Sequence, residues 1–492
     1  MSYEINYRGW TLFFDDPPSS KDLEARYEAR VTATEVRYPV ATPSPLERER
    51  GERPRLPLQG RRVAFCARKP GPVSREAFAV LCRLGATIGV AAEQLEEFSA
   101  IASDFEDAGP MFSIDWTSDE TLYGVVFDAT DFETPSDLDA LRQVFRPAVM
   151  ALASSGRAVV ISGQPEDAES ASQAATWYAL DGFIRSMSGE MGAQGVTSNL
   201  VRVAHGAEAN LHGPLRFLLS PRAAYITAQT LRVGPSAAGA QTVDAAGSAR
   251  PLEGQTAIVT GASGGMGSVT ATALAHEGAR VICIDLPGAR NLAAVAARVG
   301  GTAVELDLTA PDAADRFAEV ARAAGGVDIL AHLAGTLGDK MLVNMDPETW
   351  NAPVSVNLDA PVRLTERLIE ENLIHDGARI LCVSSVSGIA GGPTMTAYAT
   401  SKSGVHGFVH YVSKRLADRG VTINAVAPGF TLTPFNKRMP QWMKDIFCRL
   451  NDLSQPGLPE DIANALVFLA LPEARGINGH VLRVCGGSIL GQ

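Results

Sequence analysis

The chain repeats itself, and that limits what it can fold into. Residues 58–65 read L-Q-G-R-R-V-A-F, and residues 252–259 read L-E-G-Q-T-A-I-V. Each run continues through a loop and a helix-period stretch to a small-residue turn and a further strand: R-L-G-A-T-I-G-V at 83–90 and H-E-G-A-R-V-I-C at 276–283. Later, G-V-T-S-N at 195–199 matches G-V-T-I-N at 420–424. The pairs Gly182-Phe183 and Gly407-Phe408 keep the same separation of 225 residues (407 − 182 and 420 − 195). The endings Y-I-T-A-Q-T-L-R-V at 225–233 and G-I-N-G-H-V-L-R-V at 476–484 also match. A period this long describes a duplicated domain rather than a solenoid. In the second copy, A-I-V at 257–259, V-I-C-I at 281–284, D-I-L-A at 328–331 and I-L-C-V at 380–383 read as strands between helix-period stretches. Such β-α-β alternation implies a parallel sheet covered by helices on both faces.

The boundaries follow. Residues 58–234 hold the first copy and residues 251–492 the second. Residues 235–250, P-S-A-A-G-A-Q-T-V-D-A-A-G-S-A-R, have no apolar period and read as a linker. Residues 1–57 belong to neither copy. They are rich in Pro, Arg and Glu near 43–57 and read as an extended arm docked on its own domain, with Trp10, Phe13 and Phe14 to pack its beginning. Hydrophobic residues make up 46% of the chain, so each copy can bury a core without metal or disulfide support. The net charge of −12 argues against non-specific nucleic-acid binding. No apolar run is long enough for a membrane span, and Met1 to Phe14 lack the pattern of a secretory signal. None of the six cysteines forms a C-x-x-C pair, so no metal site is expected, and reduced, buried thiols fit a cytoplasmic protein.

Residues 260–267 read T-G-A-S-G-G-M-G, between the strand at 257–259 and a helix-like S-V-T-A-T-A-L-A. In that context the loop is a dinucleotide cradle. Gly261 permits the tight turn. Gly265 and Gly267 let the backbone approach the pyrophosphate and the helix approach the strand, and Ser263 and Met266 complete the loop. The helix N-terminus offers N–H groups to the phosphates. The next strand ends in Asp285, which can accept from both ribose hydroxyls of NAD and would repel the 2′-phosphate of NADP, although Arg290 nearby softens that repulsion. NAD(H) is therefore favoured over NADP(H). The fold class is α/β, with two doubly wound, Rossmann-like domains in tandem.

Residues 398–402 read Y-A-T-S-K. On a helix Tyr398 and Lys402 share a face. A neighbouring ammonium should lower the phenol's pKa from its usual value near ~10 and fit it for proton transfer to or from an oxygen. Ser385 follows the strand at 380–383 and can polarise a carbonyl oxygen. Asn357, in V-S-V-N-L, can hold a water that relays protons to Lys402.

Together T-G-x-x-x-G-x-G, the set Asn357, Ser385, Tyr398 and Lys402, and Pro428-Gly429 after a late strand resemble the short-chain dehydrogenase/reductases. The resemblance is specific over 252–492 and holds only in outline over 58–234. D-K-M-L-V-N-M at 339–345, N-A-V-A-P-G-F at 424–430 and the ending L-R-V-C-G-G-S-I-L-G look like the β-ketoacyl reductases of fatty-acid synthesis, and the tandem layout like their high-molecular-weight branch. The resemblance implies that Asp307 and Leu308 flank the adenine and that Ala334 and Gly335 line the cofactor. It also sets Thr431 and Thr433 near the nicotinamide amide. One departure stands out: Leu333 occupies the place of a family asparagine that ties strands together. The implied reaction is NADH-dependent reduction of a 3-oxoacyl thioester on acyl carrier protein or CoA. Lys437, Arg438 and Lys444 can meet the carrier's phosphate. The rivals are a dehydrogenase for another secondary alcohol, such as a steroid or polyketide intermediate, and a non-catalytic dinucleotide-binding scaffold or sensor.

The first copy breaks the pattern. C-A-R-K-P-G-P-V-S at 66–74 stands where the glycine loop belongs, and its prolines remove N–H donors. Arg68 and Lys69 could still attract an anion. Gln173 falls at the place of Tyr398 and Trp177 at that of Lys402. The first copy should keep the fold without the chemistry. It can cover an apolar face of the catalytic copy, which predicts a homodimer carrying four Rossmann units and two active sites.

Overall fold

In a computed structural model of the chain, the structure describes residues 3–7, 10–14, 43–49, 51–236, 250–433 and 439–488. Strands β1 (Tyr3–Tyr7) and β2 (Trp10–Phe14) pair antiparallel, so the arm opens with a hairpin rather than an extended run.

The remaining strands make two sheets of the same design. The first contains β3 (Arg62–Ala67), β4 (Thr87–Val90), β5 (Met111–Ser113), β6 (Leu122–Asp128), β7 (Leu152–Gly163), β8 (Thr197–Val203) and β9 (Gln229–Val233). The second contains β10 (Thr256–Thr260), β11 (Arg280–Asp285), β12 (Thr302–Glu305), β13 (Val327–His332), β14 (Ile374–Val383), β15 (Thr422–Pro428) and β16 (Val481–Val484). Their spatial orders are β5-β4-β3-β6-β7-β8-β9 and β12-β11-β10-β13-β14-β15-β16, and every pairing in both is parallel. In each sheet the order reverses beside the first strand, which creates the crevice where α/β proteins bind nucleotides. Central strands such as β6 and β15 are buried along their whole length, as parallel strands covered on both faces must be.

The helices that frame the two crevices and the seam between the halves are α1 (Pro72–Arg83), α2 (Ala171–Met191), α3 (His212–Leu218), α4 (Gly265–His276), α5 (Thr396–Arg415), α6 (Gln441–Arg449) and α7 (Pro459–Ala470). Each half has an apolar cluster of its own, and a third cluster spans both. A single buried cluster runs from Phe65 and Phe78 through Phe217, Leu218 and Tyr225 to Ile462, Phe468 and Val484. At its middle the Phe217 and Phe468 rings, on α3 and α7, stack at 4.2 Å between centroids and 7° between planes. The edge strands β9 and β16 also approach, and the Gly234 N–H donates to the Gly476 carbonyl at 2.7 Å.

The arm's last described part, within residues 43–57, docks on both halves, not on its own alone. The Glu47 N–H donates to Ser155 Oγ at 3.2 Å. Arg48 Nε meets Asp461 at 3.0 Å, and Arg53 reaches Glu277 at 3.3 Å and Glu473 at 2.5 Å. A run of arginines held against buried carboxylates explains why the segment follows the seam between the halves. No helix among the described residues is long and apolar enough to cross a membrane.

Candidate active site

The glycine loop of the second half turns where β10 meets α4. Gly261 has φ +66°, and a Cβ there would lie 2.7 Å from the Ala334 nitrogen. A Cβ on Gly267 would lie 2.0 Å from the Gly261 carbonyl oxygen. Only glycines let the loop, the start of α4 and the end of β13 converge so closely. Helix α4 begins after Gly264, and no side chain caps it. Its first-turn N–H groups are therefore free to meet a phosphate, so this cradle fits a dinucleotide.

Asp285 closes one side of the loop. Its Oδ2 accepts from the Ser263 N–H at 2.8 Å and the Ser263 hydroxyl at 2.7 Å, while Oδ1 accepts from the Leu286 N–H at 2.8 Å. Asp307 follows β12 and accepts from Thr309, which holds its carboxyl below the usual range. Leu308 beside it is buried. Thr260 ties β10 to the end of β13: its hydroxyl accepts from the N–H groups of Leu333 and Ala334 at 3.1 and 3.2 Å. Leu333 can then turn its side chain into the core, where it is buried.

The other side of the crevice is built from the ends of β13, β14 and β15. Ser385 caps the short helix after β14, and its Oγ accepts from the Ser387 N–H at 3.1 Å. Helix α5 brings Tyr398 and Lys402 together one turn apart, with Lys402 Nζ 5.8 Å from the centre of the Tyr398 ring. Burial pushes the Lys402 ammonium down to about 8, and Nζ donates to the Val383 carbonyl at 2.7 Å. The phenol departs from the sequence expectation. Burial raises the Tyr398 pKa, hydrogen bonding to Ser385 opposes that rise, and the negative charge of Asp339 adds to it. The ammonium faces the Val383 carbonyl, so it does not draw the phenol down.

Asn357 lies in a π-helical turn, Ser355–Asp359, and is buried. Its Oδ1 accepts from the Thr336 N–H at 2.8 Å, and its Nδ2 donates to the Thr336 carbonyl at 2.9 Å and to Ser401 Oγ at 3.0 Å. π-bulges of this kind often accompany functional sites. A Cβ on Gly335 would stand 3.2 Å from Asn357 Oδ1 and 3.6 Å from Lys402 Nζ, so Gly335 keeps open the space that these two side chains border. Past β15, the Gly429 N–H donates to the Val484 carbonyl at 2.9 Å, Thr431 is buried and bridges to Gly457, and Thr433 is half-buried. Lys444 is half-buried on α6, whereas Lys437 and Arg438 lie outside the described residues. Sequence reasoning gave Asp339 no role, although it heads the D-K-M-L-V-N-M run. It also missed Thr260, Thr336 and Ser401, whose contacts join segments far apart in the chain.

At the matching positions of the first half the side chains differ. Strand register places Gly163 of β7 where Ser385 follows β14. The Trp177 indole packs on Gly163 so closely that a Cβ there would lie 2.4 Å from the ring. Asp181 on α2 pairs with the buried Arg202. Arg68, the cation of the broken loop, is held by Asp131 and Asp137 and lies over the Phe132 ring. Ser74 donates to the buried Asp128, whose carboxyl burial pushes up. Pro72 opens α1.

Residues 261–488 match a family model described as enoyl-(acyl carrier protein) reductase. The chain is 34% identical over 245 residues to a 3-oxoacyl-[acyl-carrier-protein] reductase of Thermotoga maritima, covering 49% of this chain and 99% of that protein. A reductase of the same description from Vibrio cholerae is 36% identical over 239 residues, covering 48% of this chain and 98% of that protein. Among solved structures, an angucycline C-6 ketoreductase with bound NADP is 30% identical and covers 49% of this chain and 98% of its own, with a TM-score of 0.46. These likenesses cover the C-terminal half.

Proposed function

The chain belongs to the short-chain dehydrogenase/reductases, an oxidoreductase family acting on CH–OH and keto groups, and on that premise we propose that it reduces 3-oxoacyl thioesters to 3-hydroxyacyl thioesters with NADH. Residues 251–492 form the catalytic domain and residues 58–234 a degenerate one, joined by a linker at 235–250 and preceded by the arm at 1–57. The observation that carries the reading is the meeting of Ser385, Tyr398 and Lys402, with Gly335 facing Lys402 and Asn357.

The dinucleotide's pyrophosphate meets the loop at Gly261, Ser263, Gly265, Met266 and Gly267. Asp285 takes the adenosine ribose, Asp307 and Leu308 flank the adenine, and Ala334, Gly335, Pro428, Gly429, Thr431 and Thr433 line the rest. When bound, the nicotinamide supplies the hydride. Ser385 donates a hydrogen bond to the substrate carbonyl oxygen, and Tyr398 gives that oxygen its proton. A phenol held above its usual pKa keeps that proton at neutral pH, which suits reduction. Lys402 holds ribose hydroxyls and passes protons towards Tyr398, with Asn357 fixing the turn beside it. The thioester is carried on acyl carrier protein or CoA, consistent with the names of the relatives. The first half covers an apolar face of the second, and two chains associate as a homodimer.

The test is NADH oxidation followed with a panel of 3-oxoacyl-CoA and 3-oxoacyl carrier-protein thioesters beside unrelated ketones. Turnover confined to the thioesters is expected. Turnover of the ketones alone would refute the substrate class.

A further inference from the structure

Tyr225 belongs to the first half, yet its side chain serves the second. The ring is buried, and the hydroxyl reaches the Gln455 carbonyl at 3.0 Å and the Phe430 carbonyl at 3.4 Å. Asn451 Nδ2 donates to the same hydroxyl at 3.4 Å and to the Gln455 carbonyl at 2.9 Å. Phe430 and Gln455 stand near the two ends of one segment. It leaves the carboxyl end of β15, carries Thr431 and Thr433, passes through α6 and returns to α7; it is described at 430–433 and 439–457. Phe430 and Phe447 stack across it at 5.4 Å.

The fit around the ring is close. A Cβ on Gly457 or Gly486 would lie 2.6 Å from a Tyr225 ring carbon, and the Gly486 N–H donates to the Tyr225 carbonyl at 3.0 Å. A second grip lies beside it. Ser188 Oγ donates to Asp452 Oδ2 at 2.6 Å, and a Cβ on Gly192 would lie 2.3 Å from the Asp452 carbonyl oxygen.

The first half has no such segment of its own to hold. Val203 connects to His212 through residues 204–211, whereas Pro428 connects to Pro459 through residues 429–458. Covering an apolar face would not call for a hydroxyl set between two carbonyls of the other half. A buried hydroxyl needs a partner, and here the partners are the two ends of the segment that opens beside Ser385.

We propose that Tyr225 is a positioning residue for the acyl-thioester site: the degenerate half fixes Phe430 and Gln455, and so the backbone that leaves β15 beside the strand end that leads to Ser385. This rests on the functional reading above, and its test is separable from it.

In the full chain, Tyr225→Phe keeps the ring against Gly457 and Gly486 and removes the hydroxyl. The KM for a 3-oxoacyl-CoA should rise about 3- to 10-fold, the scale of one buried hydrogen bond, while the Kd for NADH stays at its wild-type value. Hydrogen exchange should quicken in peptides from 439–457 and remain unchanged in α4. Ser188→Ala should act in the same direction through Asp452. Wild-type KM and wild-type exchange in both variants would overturn the proposal, as would faster exchange spread evenly over both halves. Should the wild-type chain turn over no 3-oxoacyl thioester, the functional reading falls, and the exchange comparison still decides whether Tyr225 holds the segment.

Discussion

Replacing Phe468 with alanine should loosen both halves of the chain at once. Phe468 is 2% exposed and its partner Phe217 is 5% exposed, and the stack joins α3 to α7 inside the shared core. Truncating a buried phenylalanine costs about 3–5 kcal/mol, from lost burial and from the cavity left behind. About 0.5–1.5 kcal/mol of that belongs to the ring pair itself. At roughly 1.4 kcal/mol per tenfold, the opening equilibrium should rise by roughly two to four powers of ten. Hydrogen exchange followed by mass spectrometry reads each half separately, through peptides from β6 and β7 and from β13 and β14. If one core spans the halves, the most protected amides of both sets should speed up together. A double-mutant cycle with Phe217→Ala should show a coupling of about 1 kcal/mol. Acceleration limited to the second half, with no coupling, would refute a shared core and leave two independent domains that merely touch.

Other outcomes concern the site. Tyr398→Phe should lower turnover by at least ~100-fold, the scale of a lost general acid, with NADH affinity unchanged; steady-state kinetics beside a binding titration checks this, and near-wild-type turnover would exclude Tyr398 as the proton donor. Burial holds Lys402 near 8, below its usual 10.5, so the ammonium is present below pH 8 and lost above it. The plot of kcat/KM against pH should therefore fall on its alkaline side through about 8, and Lys402→Arg, whose charge persists at high pH, should shift or remove that limb. Asp285 should make the native enzyme prefer NADH, and Asp285→Ser should narrow the preference by removing repulsion of a 2′-phosphate; kcat/KM for both cofactors decides, and a native preference for NADPH would contradict it.

The candidate site of the second half was legible because its signals are local. A glycine loop between a strand and a helix, and a tyrosine four residues before a lysine, each sit within one turn or one element. Their meaning survives without knowledge of the rest of the chain. The two-sheet architecture was legible for a related reason, since strand and turn patterns repeat in the same order. What escaped was built from distant residues. The arm's arginines find carboxylates more than four hundred positions away at Asp461 and Glu473, and no periodicity announces such a pair. Thr260 could be recognised as a tie between β10 and β13 only once the two strands were adjacent. The phenol's environment was misjudged because helical spacing fixes which residues are neighbours, not where a flexible lysine points. Gly163 shows the same limit from the other side: a glycine ending a strand looks unremarkable until the Trp177 ring is seen lying on it.

On the reading proposed above, one half of this chain binds dinucleotide and the other is a degenerate copy that supports it. Calorimetric titration of NADH into the 492-residue chain decides it. The Trp177 ring against Gly163 and the ion-paired Arg68 and Arg202 lead us to expect a stoichiometry near one NADH per chain, abolished when bulk is introduced at Gly267 in the second half. Two NADH per chain, or one that survives a Gly267→Val substitution in a folded protein, would contradict it.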